Sequence, residues 1–113
     1  MIVDKEEFWG KVVNKAKELE KVYTLTQRKE NKIMSVISAG IVVATTRSPR
    51  GELVPKSMFD STFKALSSGK PISQQELLDD YNVHRSAFVM SLVSQLDDVI
   101  YDPMQKTIRL KYE

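Results

Sequence analysis

The stretch that most restricts how this chain can fold is residues 73–96, SQQELLDDYNVHRSAFVMSLVSQL. Ser73 followed by Glu76 is an S/T-x-x-E capping box, in which two side chains satisfy orphan backbone N–H groups at a helix start. The short helix begun there carries Leu77 and Leu78. It runs out near Tyr81-Asn82, because Asn tolerates the left-handed conformation that a tight turn needs. A second helix starts around residues 84–86 and carries Phe88, Val89, Leu92, Val93 and Leu96. Those five fall at i, i+1, i+4, i+5 and i+8, one apolar stripe at helical spacing. VIYDPMQKTIRLKY follows, with alternating runs over 99–101 and 107–112 about a Pro-containing turn, which reads as a β-hairpin.

Helix, short turn, helix and terminal hairpin together resemble the winged helix-turn-helix domain, over roughly residues 54–113. The resemblance implies three helices. The first begins with Pro55 at its opening position, carries Met58, Phe59, Phe63 and Leu66 at 3–4 spacing, and ends at Ser67-Ser68-Gly69. It also implies DNA binding, with the second helix of the pair in the major groove and the hairpin against the backbone or minor groove. In this sequence Arg85 and Ser86 would then read bases, and Lys106, Arg109 and Lys111 would form a basic wing.

Upstream, Phe8, Trp9, Val12, Val13, Ala16 and Leu19 mark one face of a helix over residues 4–22. Asp4, Glu6 and Glu7 sit where the helix dipole favours acids, and Glu7 to Lys11 makes an i,i+4 pair. Three short antiparallel strands follow, over 22–27, 33–38 and 41–46, with turns at RKEN and Ala39-Gly40 and a loop at Ser48-Pro49-Arg50-Gly51. The expected class is α+β: an N-terminal helix and small antiparallel sheet in residues 1–53, then a winged helix-turn-helix in 54–113. At 113 residues and 42% hydrophobic, the chain has material for one modest core, hence a single domain.

Net charge is only +2, but it is unevenly spread. Residues 1–20 hold four Lys against five acids, residues 21–56 seven Lys+Arg against two, and residues 57–113 six against eight. The positive charge therefore sits outside the helix-turn-helix. Arg28, Lys29 and Lys32 crowd one turn; Arg47, Arg50 and Lys56 crowd the loop after the third strand. If the strands pair in sequence order, the first cluster and Arg47 lie at one end of the sheet, where the two clusters form one patch. The face of the second helix opposite its stripe holds Ser86, Ala87, Met90, Ser91 and Ser94, none of which makes bidentate base contacts. Two readings follow. One is non-enzymatic DNA binding dominated by phosphate contacts. The other is an interaction module whose Ser/Ala/Met helix face packs on a protein partner or a second copy.

Catalysis has little to draw on. The single histidine, His84, stands beside Asp79 and Asp80 and reads as an exposed turn residue. With no cysteine there is no thiolate site, and no dedicated metal site or cofactor is expected. Glu30-Asn31-Lys32 matches the E-x-K core of restriction-type nucleases but falls in the predicted turn, so a nuclease ranks third. The run TLTQRKENKI, then GIVVATTRS, then VPKSMFDSTFKAL before the winged unit, looks like modules that accompany nucleases in bacterial restriction and phage-defence proteins. No membrane segment, signal peptide or small-molecule substrate is suggested, which fits a cytoplasmic setting.

Overall fold

Helix α1 spans Lys5–Glu18 in the computed structural model, which describes Ile2 and residues 4–111. Asp4 is its N-cap, accepting from the Glu7 N–H at 2.8 Å, so the acidic start works as both cap and dipole partner. The helix is shorter than its apolar period suggests. It gives way at Leu19 because the next residues are claimed by a sheet.

That sheet has strands β1 (Lys21–Tyr23), β2 (Glu30–Ile37), β3 (Gly40–Ala44) and β4 (Glu52–Pro55), antiparallel and in sequence order. It departs from the three expected strands in three places. β1 stops at Tyr23, because the Thr24 hydroxyl accepts from the Lys29 N–H at 2.9 Å and the Thr24 carbonyl from the Arg28 N–H at 3.0 Å. Residues 24–29 are therefore a turn. Glu30-Asn31-Lys32 opens β2 instead of lying in that turn. The fourth strand, ELVP, has no alternation of its own; pairing of Ile41 with Val54 and Val42 with Leu53 makes it one.

Helix α2 (Lys56–Leu66) follows directly, with Pro55 as its N-cap and last strand residue instead of its first helical residue. A two-residue strand β5 (Ile72–Ser73) leads into α3 (Gln74–Tyr81), whose capping box is formed on both sides. Asn82 closes α3 at φ 55°, as its residue type suggested. Helix α4 (Ser86–Val93) and the hairpin β6 (Val99–Asp102) and β7 (Thr107–Leu110) complete the chain. β5 joins the hairpin to make a second antiparallel sheet in the order β5-β7-β6, a strand that two residues of sequence could not announce. The expected reach of the hairpin to Tyr112 lies outside the described residues.

Among the described residues, four helices and two antiparallel sheets make an α+β fold around one continuous core. Phe8 and Val12 of α1, Ile41, Val43 and Val54 of the sheet, Phe59 and Leu66 of α2, Leu77 of α3, Phe88 and Leu92 of α4, and Ile108 of β7 are all buried in it. Trp9 rests half-buried on Phe59, and Phe8 on Phe63, with ring centroids 5.4 and 5.3 Å apart. The core runs across residues 53 and 54, and β4 spans them, so the N-terminal part and the part after it fold on each other.

The consequence for α4 is large. Ser86, Met90 and Ser91 are buried along with the apolar stripe, because α1 and β1 lie against this helix as α3 does. The expected exposed face of Ser86, Met90 and Ser91 does not exist in this fold. The Ser91 hydroxyl donates to the Phe88 carbonyl and the Ser94 hydroxyl to the Ser91 carbonyl, each at 2.8 Å, which lets polar side chains sit in a buried helix. Lys11, expected to pair with Glu7, donates to Asp98 at 2.5 Å and ties α1 to the approach of β6.

Candidate nucleic-acid interface

Antiparallel pairing in sequence order decides which loops meet. Tyr23 opposite Glu30 and Val43 opposite Glu52 put the β1–β2 turn (24–29) and the β3–β4 loop (45–51) at the same end of the sheet. The β2–β3 turn and the start of α2 lie at the other end, where the Lys56 N–H donates to the Ala39 carbonyl at 2.9 Å. Of the six cations expected to gather, Arg28, Lys29, Arg47 and Arg50 lie in the two loops at the first end, whereas Lys32 lies within β2 and lines a separate groove. Lys56 does not join those four. β4 carries it to the opposite end, and its ammonium donates to Glu6 at 2.9 Å. That hydrogen bond raises the Lys56 pKa above its ordinary 10.5, with burial opposing and Asp60 adding to the rise.

A cleft of about 570 Å³ lies between the two loops and the start of α4. Exposed Lys29 and Arg47 line it, as do Glu30, Thr24, Thr45, Thr46, Ser48, Asn31, Glu52, Arg85, Ala87 and Phe88. Asn31 and Thr24 are nearly buried, at 4% and 8% exposure, and form its floor. Arg85 bridges that floor: its guanidinium donates to Glu52 at 2.6 Å and to the Asn31 side-chain oxygen at 3.4 Å. This corrects the expectation that Arg85 swings out to read bases. The reason is Glu52, placed beside it by the fourth strand. Ser86, the other expected base reader, is only 4% exposed.

The remaining cations are arranged as follows. Arg28 stands in the turn at φ 56°, its guanidinium 5.5 Å from the centre of the Tyr23 ring. Arg50 is exposed in the β3–β4 loop. Lys32, on β2 opposite Lys21, lines a separate groove beside α1 with Ala16, Lys17 and Leu19. Lys106 sits at φ 56° in the β6–β7 turn. It lines a smaller cleft of about 260 Å³ with Leu25 and Thr26 of the β1–β2 turn, so hairpin turn and basic turn flank a common surface. Arg109 is exposed on β7, opposite Ile100. Among the described residues, Arg28, Lys29, Lys32, Arg47, Arg50, Lys106 and Arg109 make no ion pair, whereas Lys11, Lys15, Lys56 and Arg85 do.

Asp98, which follows Asp97 just before β6, is engaged by Lys11. The hydrogen bond from Lys11 lowers the Asp98 pKa below its ordinary 3.8 against the opposing effect of burial, and the same bond raises that of Lys11. His84 is exposed, and no group of three His, Cys, Asp or Glu side chains is placed to hold a metal among the described residues. Glu30 and Lys32 fall at i and i+2 of β2, on one face of the strand, and line two different clefts. None of the described helices is long and apolar enough to cross a membrane.

Sequence reasoning missed the polar lining of the cleft: Thr24, Asn31, Thr45, Thr46 and Glu52. Thr24 reads as a strand residue by propensity and Glu52 as an unremarkable acid; only the sheet brings them together. Compared with known proteins, the chain matches no family model, no curated protein and no solved structure.

Proposed function

We propose that this domain is a non-enzymatic nucleic-acid-binding module that grips phosphates with loops. The observation that carries this reading is the convergence of unpaired cations at one end of the four-stranded sheet: Arg28, Lys29, Arg47 and Arg50, with Lys106 across the shared surface. Neighbouring cations that lack acidic partners repel one another. A ligand that brings negative charge relieves that repulsion. The order of elements after β4, with β5 between α2 and α3 and the sheet order β5-β7-β6, supports the resemblance to a winged helix-turn-helix. Buried α4 speaks against groove reading by that helix, so affinity would come from the backbone and carry little sequence preference.

The test is a salt series. On duplex DNA each phosphate contact contributes about −0.9 to the slope of log affinity against log salt. Replacing Arg28, Lys29, Arg47 and Arg50 together by Ala should flatten the slope by roughly 3 to 4 units, by about the same amount on every sequence. Binding that ignores salt, or no binding to duplex or single strand, refutes the reading.

A second reading is favoured by one observation. Met34, Ile37 and Leu53 are 50%, 47% and 42% exposed on the four-stranded sheet, where Leu53 pairs with Val42. Such a surface suits assembly with a protein or a second copy. It relocates the interaction face from α4, which is buried, to the sheet. A solution mass above one chain that returns to one chain in Met34→Glu/Leu53→Glu would establish it.

A further inference from the structure

We infer that the cleft between the β1–β2 turn, the β3–β4 loop and α4 takes one unpaired nucleotide of a single strand, with its neighbour stacked beside it on Arg28 and Tyr23. The inference rests on the nucleic-acid reading above and names the form of nucleic acid that the site prefers.

Shape comes first. A duplex presents its phosphates on a convex surface and can touch Arg28, Arg50 and the rim. Its paired bases cannot enter a concave cleft without leaving the stack. The cleft, at about 570 Å³, lies within the roughly 300–1,000 Å³ typical of pockets that enclose small ligands. A nucleotide with its base unpaired is a ligand of that kind.

The polarity of the lining gives the direction of entry. The exposed mouth carries Lys29 and Arg47 beside Glu30 and Glu52, whereas the floor holds the nearly buried Asn31 and Thr24 with the Arg85 guanidinium on it. Lys29 and Arg47 draw a phosphate to the mouth, whereas Arg85 is neutralised by its ion pair with Glu52 and gives the floor no free positive charge. The Asn31 amide on the floor and the Glu52 carboxylate can pair with base edges, as Asn does with adenine and Glu with cytosine. Phosphate at the mouth and base inward is therefore the arrangement that satisfies both ends. On the wall the Thr45 hydroxyl accepts from the Ser48 N–H at 3.1 Å and keeps its own proton to donate, and Thr46 brings a second hydroxyl for sugar and base edges.

The neighbouring nucleotide has its own platform. Tyr23 is 38% exposed, the Arg28 guanidinium lies 5.5 Å from its ring centre, and both adjoin the turn that supplies Thr24 and Lys29 to the cleft. A basic groove joined to an aromatic or guanidinium plane is how single strands are held without base pairing.

The experiment uses the intact chain and fluorescence anisotropy at fixed salt. Three probes are compared: a labelled 12-nucleotide strand of A and C, the same sequence as a 12-base-pair duplex, and dCMP as competitor. The strand should bind at least about tenfold more tightly than the duplex. Ala87→Met and, separately, Thr46→Leu fill the cleft without removing charge. Each should shrink that preference to under about threefold and leave the salt slope alone. Tyr23→Ala should weaken the strand about tenfold and spare the duplex. Thermal melts matching wild type establish that the variants are folded. Equal or tighter binding of the duplex, with its salt slope intact, overturns the inference and leaves phosphate binding standing. A preference for single strand that both filling variants preserve overturns the placement in this cleft. dCMP binding as tightly as the 12-mer makes this a small-molecule site and overturns it too. No binding by either form removes both readings.

Discussion

One substitution made at two glycines should change stability in opposite directions. Gly40 opens β3 at φ +151°, a conformation that side-chain-bearing residues rarely adopt, and a Cβ placed there would lie 2.2 Å from the Val54 carbonyl oxygen and 3.0 Å from the Pro55 Cα. Both obstacles are backbone, so no rotamer can clear them. An ordinary carbon–oxygen contact is about 3.3 Å, which means β4 would have to retreat by roughly 1 Å. That retreat loosens the pairing of Gly40 with Pro55 and the Lys56 N–H bond to Ala39 that starts α2. The strained φ costs about 1–3 kcal/mol and overfilling a tight site about 1–3 kcal/mol more, so Gly40→Ala should lose roughly 2–6 kcal/mol. Gly10 lies in α1, exposed, with nothing within 4 Å of a Cβ. There Ala restores helix propensity, and Gly10→Ala should gain about 0.5–1 kcal/mol.

At a conversion of about 4 °C per kcal/mol for a chain of this size, the first variant should melt about 8–24 °C below wild type. The second should melt about 2–4 °C above it. Calorimetric melts and urea titrations with equal m-values would measure both. A Gly40→Ala midpoint within about 2 °C of wild type would mean that β3 and β4 do not approach as described.

Other expectations follow from the same structure. Because Met90 is only 2% exposed, Met90→Ala should cost about 2–5 kcal/mol, as Leu92→Ala does; a loss confined to Leu92 in denaturant melts would restore an exposed Met90 face. Arg85→Ala and Glu52→Ala should show a coupling energy of about 0.5–1 kcal/mol in a double-mutant cycle, whereas Arg85 and Lys106, which share no partner, should be additive. The Lys11–Asp98 pair predicts a pH window. Asp98 is lowered below 3.8, so its contribution is present above that pH and lost as the pH falls through the folded value. Lys11 is raised above 10.5, so its contribution is lost as the pH rises through its folded value. The advantage of wild type over Asp98→Asn should thus be flat between about pH 5 and 7 and vanish under strong acid; a difference that persists there refutes the pairing.

Local chemistry was legible wherever a residue acts on its near neighbours in the chain. Ser73 caps its helix, Asn82 takes the left-handed turn, and the stripes Phe8–Val12–Ala16 and Phe88–Leu92 face a core. The class of fold and the shared end of the two basic loops follow from such local signals plus antiparallel pairing. These depend on hydrogen bonds and burial within a few residues, and the sequence carries them outright.

What the tertiary structure alone decided concerns partners far apart in the chain. β4 exists because β3 lends it a ladder, and it carries Lys56 away from the basic loops and brings Glu52 to Arg85, 33 residues on. Polar Ser86 and Ser91 read as solvent-facing by period, yet α1 and β1 fold over them. Hydrophobic period reports which side of a helix is apolar. It does not report whether a second layer of structure covers the other side, since small side chains such as Ser and Ala cost little to bury once their hydroxyls find a carbonyl. The cleft belongs to the same class of fact: Thr24, Asn31, Thr45, Glu52 and Arg85 converge through three strand pairings and one helix contact, and no segment of the sequence contains them together.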